Sequence, residues 1–313
     1  MIEKIDKVLV SSDCSPMFIN YWPVVAKSWK DIFGITTKLI LVTPANVKIQ
    51  LIEKLRDFGE VEVVPQIPEV PIPNQAKLAR WFSASSNPNQ ISSIEDIDTI
   101  FLKPDFLRER FDSFDENRLL GIGSEVYTPQ QGIIKFPASN LTGSGILFSE
   151  LFGYRDGMSF GEFVKQFRNL AEFDNLEDPY RPPRSFSDES LIRALRKRNN
   201  FLKIHVIPRS IDTQNSWLDR SVWPTENELN LHKYTTVNFL RPLRENYAKC
   251  KPILDLFYPR EYPWILDKRT PIWKNRDHFL RRFPVELLYA FKKLLRRLKF
   301  RCVNSGIIQS LFK

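Results

Sequence analysis

Three acidic residues stand just ahead of an apolar run in residues 92–102, which read SSIEDIDTIFL. Asp96 and Asp98 are separated by one residue, so an extended backbone would direct both side chains to the same side. Like charges this close repel each other unless a cation lies between them, and the hard ions Mg²⁺ and Mn²⁺ are the simplest candidates. The spacing is typical of a metal site that also binds a diphosphate, although a solvated turn at the end of a strand has the same pattern.

Two basic residues precede this stretch in residues 75–82, QAKLARWF. In a helix, Lys77 and Arg80 would lie one turn apart, where both can reach one anion. A solvated helix face has the same spacing, so both interpretations stay open.

A second acidic pair, Asp188 and Glu189, lies in residues 185–192, SFSDESLI. A carboxylate in a transfer enzyme can take a proton from an acceptor hydroxyl. The same residues also suit a helix start, where Ser187 or Asp188 caps the helix and acids face the positive end of its dipole. The two interpretations are compatible, because a capped helix start is a rigid mount for a catalytic acid.

The elements that must position these residues alternate along the chain. Strand patterns at residues 7–12, 38–43 and 61–65 alternate with helix patterns at residues 17–33 and 46–58. Such alternation predicts βαβ units and a parallel or mixed sheet covered on both faces. Ligands of α/β sheets bind beyond the carboxyl ends of the strands, which is where Asp96 and Asp98 are expected.

In this order the pieces resemble nucleotide-sugar glycosyltransferases of the GT-A fold, over roughly residues 7–243. KVLVSSD resembles their first strand, EDIDTIFL their Asp-x-Asp element, NLTGSGILF the strand lining the sugar site, and FSDESLI a helix start beside the reacting carbon. The resemblance implies an α/β, Rossmann-like three-layer sandwich with a mixed central sheet, the fold of nucleotide-diphospho-sugar transferases. We expect this domain at residues 1–267 and a basic helical C-terminal tail at residues 268–313.

The resemblance also implies a role for each matching residue. Asp96 and Asp98 would hold Mn²⁺ or Mg²⁺, with His232 as a third ligand, although a lone histidine is more often structural. Asp188 or Glu189 would act on the acceptor. Contacts to the nucleotide sugar are expected from Ser11, Asp13, Lys77, Arg80, Glu95, Asp96 and Ile97, and contacts to the sugar or acceptor from Thr142, Gly143 and Ser144. For Asp13 an ordinary loop acid, and for Gly143 a bulge or turn, are the competing explanations.

The expected function is metal-dependent transfer of a hexose from a nucleotide-diphosphate sugar, with UDP-sugar favoured, to a hydroxyl of a glycan or lipid-linked acceptor. Glu189 stands where many relatives have glutamine, and Ser92, Ser93 and Glu95 replace a more apolar strand. Subfamily and stereochemistry therefore stay open. The alternatives are a non-catalytic membrane- or glycan-binding protein on a degenerate GT-A fold and a sugar-phosphate nucleotidyltransferase, whose glycine-rich loop has no counterpart in residues 11–18.

Charge is divided unevenly along the 313 residues. The tail, residues 268–313, holds 13 Lys and Arg against 2 acids, whereas the rest holds 33 bases and 35 acids. A nearly neutral body argues against a nucleic-acid partner. Within the tail, residues 284–301 place leucines at helical spacing opposite a basic face, which favours contact with an anionic membrane surface over a helix packed on the body.

The three cysteines, Cys14, Cys250 and Cys302, share no metal-ligand spacing and cannot all pair. Unpaired thiols fit a reducing compartment. The amino-terminal residues also lack the pattern of a secretory signal. We therefore expect a cytoplasmic protein, located peripherally on the inner face of a membrane if the tail binds there.

Overall fold

A computed structural model describes residues 4–104, 107, 111, 114–122, 139–167, 188–207, 216–220, 223–224 and 229–266. Its first half alternates strands and helices, in the order β1 (Lys7–Asp13), α1 (Pro16–Ile19), α2 (Trp22–Phe33), β2 (Thr37–Thr43), α3 (Ile49–Arg56), β3 (Glu60–Pro65), α4 (Ile72–Ser85), β4 (Ile91–Ile94) and β5 (Thr99–Phe101). The second half contains β6 (Leu119–Ile122), β7 (Leu141–Ser144), α5 (Gly145–Phe152), α6 (Phe160–Lys165), α7 (Asp188–Arg198), β8 (Ile204–Ile207), β9 (Trp217–Leu218), a 3-10 turn (Leu231–Lys233), β10 (Thr236–Asn238) and α8 (Tyr247–Phe257).

The strands form two sheets. The larger has seven strands in the order β3-β2-β1-β4-β7-β6-β8, and among these β7 alone runs antiparallel to its neighbours. The smaller has the order β5-β10-β9. The expected α/β architecture with a mixed central sheet is therefore confirmed.

Alternation along the central strands divides the core into two layers. Val8 and Val10 of β1 pack with α2, α8 and the small sheet, whereas Leu9 between them packs with α4, α5, α6 and α7. Trp29 of α2 contacts the ring of Phe101 in β5 at a centroid distance of 5.3 Å. The central sheet is thus covered on both faces, and the small sheet belongs to the α2 layer.

The sequence predicts one helix at residues 17–33 that Pro23 kinks or shortens. The structure has two helices, because Pro23 lies in the first turn of α2, where its missing N–H costs nothing. Gly34 ends α2 with a φ of 71°, a left-handed conformation that favours glycine.

Gly145, at the start of α5, is required by packing. A Cβ built there would lie 2.0 Å from the carbonyl oxygen of Asn87 and 2.8 Å from that of Ala84. Both are backbone atoms that cannot rotate away, so Gly145→Ala is expected to lower the free energy of unfolding by about 1–3 kcal/mol in urea titrations. Gly161→Ala in α6 is the matched control, because its Cβ would meet ordinary contacts, and it should be neutral or stabilising. Equal effects of the two changes would contradict this account.

The end of the described chain packs on α2 and the turn before it. Tyr262 donates its hydroxyl to the carbonyl of Asn20 at 2.5 Å, and the Leu266 amide donates to the Asn20 side chain at 2.9 Å. The predicted tail, residues 268–313, lies outside the described residues. Within the part of the chain that is described, none of the helices is both long and apolar enough to cross a bilayer.

Candidate functional site

The carboxyl ends of β1 and β4 meet at one edge of the central sheet. The two strands are parallel, and Leu9 pairs with Ile94. The loop after β1 begins at Cys14, and the acidic stretch begins directly after Ile94. Alternation places Ser11, Asp13 and Asp96 on the face that carries Leu9 and Ile94, which is the face covered by α4.

Arg80 of α4 connects the acids at this edge. Its guanidinium is buried and donates to the Glu95 carbonyl at 2.7 Å, to Asp96 Oδ1 at 2.8 Å and to Asp188 Oδ2 at 2.6 Å. Lys77, one turn earlier, lies 3.5 Å from Asp188 Oδ1. The predicted basic pair and two of the predicted acids therefore form one cluster, so a solvated helix face is not the explanation for Lys77 and Arg80.

Burial and charge shift the pKa values of the groups in this cluster in opposite directions. Burial raises the pKa of Asp96, but the charge and hydrogen bond of Arg80, with Arg241 and Arg220 further away, lower it below its usual range. Burial lowers the pKa of Arg80, whereas Asp96 and Asp188 raise it above its ordinary value. Asp96 is therefore a carboxylate and Arg80 a cation throughout the physiological pH range.

Asp98 has different partners from Asp96. The chain turns between them, with the Thr99 amide donating to the Asp96 carbonyl at 3.1 Å, so the side-by-side arrangement of an extended strand does not form. The Asp98 side chain is fully buried, and its Oδ2 accepts from Arg220 Nη1 at 2.9 Å and from Arg241 Nε. Arg241 also lies over the ring of Phe18, 4.9 Å from its centroid, beside the end of β1.

These contacts bear on the predicted divalent cation. Asp98 Oδ1 is a buried acceptor without a hydrogen-bond partner, but its carboxylate already has two guanidinium partners, and Asp96 has a third. Within the described residues, no three His, Cys, Asp or Glu side chains are grouped as a metal site. The guanidinium groups of Arg80, Arg220 and Arg241 thus lie beside the two aspartates, in the positions where the sequence pattern predicts a cation, and binding of Mn²⁺ or Mg²⁺ stays a prediction.

His232 lies at the other end of β5 from Asp98. It belongs to the exposed 3-10 turn, and its carbonyl accepts from Lys103 at 2.6 Å. In the antiparallel register, Thr99 next to Asp98 pairs with Asn238, and Phe101 pairs with Thr236. The structure thus does not bring His232 to the two aspartates.

The Glu95 side chain belongs to a buried polar group. Its Oε1 accepts from the Ser93 hydroxyl at 2.8 Å, and Ser93 in turn accepts from Thr142 at 2.9 Å. Glu95 Oε2 is buried without a hydrogen-bond partner. Burial raises the pKa of Glu95 to about 8, so the carboxyl is mostly protonated at neutral pH.

This raised pKa predicts a pH dependence of stability. Above about pH 4.3 the carboxyl ionises in the unfolded chain, but in the folded chain it keeps its proton until about pH 8. Stability from this group is therefore complete at low pH and declines by up to about 1.4 kcal/mol per pH unit across that window. Glu95→Gln should remove this part of the decline in urea titrations between about pH 5 and 8, whereas Glu60→Gln, an exposed control, should keep it. An unchanged slope in Glu95→Gln would refute the assignment.

The other nucleotide-binding candidates lie at the same sheet edge with different exposure. Ser11 and Asp13 are half-buried, and Asp13 Oδ1 accepts from the Ser15 amide at 2.9 Å, which shapes the turn into α1. Ile97 packs its side chain into the α2 layer of the core, so only its backbone can meet a ligand. For these three residues, contact with a nucleotide stays a prediction.

The predicted sugar-site residues lie on β7, which leads away from this edge of the sheet. Leu141 pairs with Ile94, Thr142 with Ser93 and Gly143 with Ser92, so Ser144 lies at the opposite end of β4. A Cβ on Gly143 would lie 2.4 Å from a methyl of Leu119, which gives the glycine a packing role. Thr142 is connected to Glu95 through Ser93, but the described geometry brings none of Thr142, Gly143 and Ser144 to Asp96, Asp98 or Asp188.

The catalytic pair is described only in part. Asp188 begins α7 and is held by Arg80 and Lys77, as given above. The side chain of Glu189 lies outside what the structure describes. Asp188 therefore belongs to the cluster, and its role in catalysis stays a prediction.

Three further polar residues surround the site. Arg220 and Arg241 reach Asp98 from positions more than a hundred residues along the chain. Asn140 precedes β7 with a φ of 59° and is buried, with both side-chain polar atoms unpaired. The start of the NLTGSG stretch, rather than its glycines, is therefore the part of that motif nearest to the sheet edge.

A surface cleft of about 470 Å³ lies elsewhere, at the edge strand β3. Lys38, Arg56, Glu60 and Glu62 line it, and Lys38 pairs with Glu62 at 3.3 Å. Bases and acids are equal in number there and partly pair with each other. The cleft consequently lacks the surplus of donors that an anionic ligand requires.

Comparisons with known proteins add little to this geometry. No protein-family model matches the chain, and no curated protein sequence matches it. The structure resembles that of the glycosyltransferase GlyE in Streptococcus pneumoniae TIGR4, with a TM-score of 0.43 and 13% sequence identity. The match covers 82% of this chain and 64% of the GlyE chain, so this chain spans less than two thirds of the length of GlyE. A match at this level decides neither fold nor activity.

Proposed function

We propose that the protein is a glycosyltransferase that uses a nucleotide-diphosphate sugar as donor, with UDP-sugar favoured, and the hydroxyl of a glycan or lipid-linked molecule as acceptor. One observation carries this proposal. Arg80 joins Asp96, directly after β4, to Asp188, at the start of α7, although 92 positions separate the two acids in the sequence. These are two of the motifs whose order resembles that of GT-A enzymes, and they meet beyond the carboxyl ends of parallel strands, where such sheets bind ligands.

The chemistry of donor cleavage requires positive charge beside the departing diphosphate. Lys77, Arg80, Arg220 and Arg241 supply such charge within the cluster. Ser11 and Asp13, at the end of β1, are the candidates for the nucleoside part of the donor. Asp188 or Glu189 is the candidate that takes the proton from the acceptor hydroxyl as the new glycosidic bond forms.

A lipid-linked acceptor would require the enzyme to reach a membrane. The basic residues 268–313 are the candidate for that contact, since basic amphipathic helices bind anionic lipid surfaces. Deleting these residues should abolish sedimentation with vesicles that contain anionic lipid and should leave the melting temperature of the body unchanged. Unchanged sedimentation after the deletion would remove the membrane from the proposal.

Binding of a nucleotide-sugar donor is tested by thermal denaturation with UDP-, GDP- and dTDP-sugars, each with and without Mn²⁺. At least one donor should raise the melting temperature, because a ligand at about 100 times its dissociation constant stabilises the folded state by about 2.7 kcal/mol. Stabilisation by none of them, under either condition, would refute the proposal. Release of nucleoside diphosphate from the stabilising donor then separates an enzyme from a non-catalytic binding protein.

A further inference from the structure

We propose that Arg220 and Arg241 take the place of the divalent cation expected at Asp96 and Asp98, so that the site binds the diphosphate of its ligand through guanidinium groups and needs no metal. The inference rests on the proposed function, because it concerns the diphosphate of the same nucleotide. It is the opposite of what the Asp-x-Asp spacing predicts. Three features of the cluster support it.

The first feature is the balance of charge. Lys77, Arg80, Arg220 and Arg241 contribute four positive charges, and Asp96, Asp98 and Asp188 contribute three negative ones. Among these paired side chains the bases therefore outnumber the acids by one. A divalent cation added here would meet repulsion from the guanidinium groups, whereas an anionic diphosphate would be attracted.

The second feature is the enclosure of Asp98. Its side chain has no exposed surface, and the same oxygen, Oδ2, accepts from both arginines. The other oxygen, Oδ1, is also buried. A magnesium-type ion keeps several waters and binds substrate phosphates directly, which requires an open carboxylate. Asp98 is instead suited to hold two guanidinium groups in fixed positions.

The third feature is the exposure of the two arginines. The side chains of Arg220 and Arg241 are 33% and 31% exposed, although the carboxylate between them is fully buried. Each guanidinium has five N–H donors, and Asp98 takes Nη1 of Arg220 and Nε of Arg241. Paired, oriented guanidinium groups match phosphate oxygens well, so the exposed parts form a suitable cradle for a diphosphate.

The arginines also lie on the correct side of the sheet edge. Arg241 covers the ring of Phe18 in α1, the helix that follows β1, and both arginines pair with Asp98, two residues after Asp96. The pair therefore spans the gap between the end of β1 and the acid after β4. A nucleotide whose nucleoside part lies near Asp13 would have its diphosphate beside this pair.

The test is the affinity of the full-length protein for UDP, GDP and dTDP, measured by titration calorimetry in excess EDTA and again in Mn²⁺. We expect the preferred nucleotide to bind in EDTA within about threefold of its affinity in Mn²⁺. Arg220→Gln and Arg241→Gln should each weaken binding by about tenfold or more in both solutions, since each loses charge-assisted hydrogen bonds. Arg118→Gln, at an exposed arginine paired with Asp115, is the control and should bind as the wild type does.

Asp98→Asn supplies a second readout, with thermal denaturation confirming that each variant is folded. If Asp98 positions the arginines, this change weakens binding equally in EDTA and in Mn²⁺. If the wild-type protein binds the nucleotide only in Mn²⁺, and the Asp98→Asn variant loses this dependence on Mn²⁺, the inference is overturned and the proposed function stays intact. Binding of no nucleotide under either condition would overturn both.

Discussion

Replacing Arg80 by leucine is expected to lower the free energy of unfolding by about 3–5 kcal/mol, which is the cost of removing one partner of a buried ion pair. The guanidinium is the shared partner of Asp96 and Asp188 and of the Glu95 carbonyl. Leucine fills much of the space but removes the guanidinium that lies between Asp96 and Asp188, and Lys77, 3.5 Å from Asp188, replaces only part of that charge. Typical domains are stable by only 5–15 kcal/mol, so the loss should be plain in urea titrations.

A compensating variant separates the effect of the unpaired charges on stability from the effect of the lost packing of Arg80. Arg80→Leu combined with Asp96→Asn and Asp188→Asn removes the unpaired charges and should recover a large part of the lost stability. Lys38→Met, which breaks the half-exposed pair with Glu62, is the matched single change and should cost about 1 kcal/mol or less. An Arg80→Leu protein as stable as Lys38→Met would show that the cluster does not hold the sheet edge together.

The second large effect is expected at Trp81, the next residue of α4. Its side chain is fully buried and stacks on Phe152 at a centroid distance of 4.8 Å, with Phe148 at 5.9 Å. Trp81→Ala should cost about 3–5 kcal/mol, because it leaves a large cavity between α4 and α5. The same change should weaken nucleotide binding, since α4 carries Lys77 and Arg80 to the sheet edge.

Two further variants sharpen the result at Trp81. Trp81→Phe keeps most of the contact and removes an indole N–H that has no hydrogen-bond partner, so its cost should be much smaller. Trp223→Ala, at a half-buried tryptophan beside Phe239, should also cost less than Trp81→Ala. Equal losses at both tryptophans would contradict the role given to the α4–α5 contact.

Much of the fold follows from local patterns in the sequence. The runs KVLVSS, KLILVT and VEVVP are strands, and NQAKLARWFSAS and SDESLIRALRKR lie largely within helices, as their periodicities predict. The sequence pattern failed where a single residue changes the course of the chain. Pro23 lies in the first turn of a separate helix, and β4 ends at Ile94, before both aspartates.

The site was less predictable, because its contacts join distant parts of the chain. Lys77, Arg80, Asp96 and Asp188 have the types and spacing of an anion-binding cluster, and the structure brings them together. Arg220 and Arg241 have no periodic signal that connects them to Asp98. They place positive charge beside Asp98, where the Asp-x-Asp pattern alone predicts a metal ion.

The central claim, that a nucleotide diphosphate binds beyond the carboxyl ends of β1 and β4, is tested most directly by a crystal structure of the protein with the nucleoside diphosphate that stabilises it best. Density for the diphosphate is expected within hydrogen-bond distance of Arg220 and Arg241, with the nucleoside near Asp13. Density in the cleft lined by Lys38 and Arg56, or at the far end of β4 near Ser144, would contradict it.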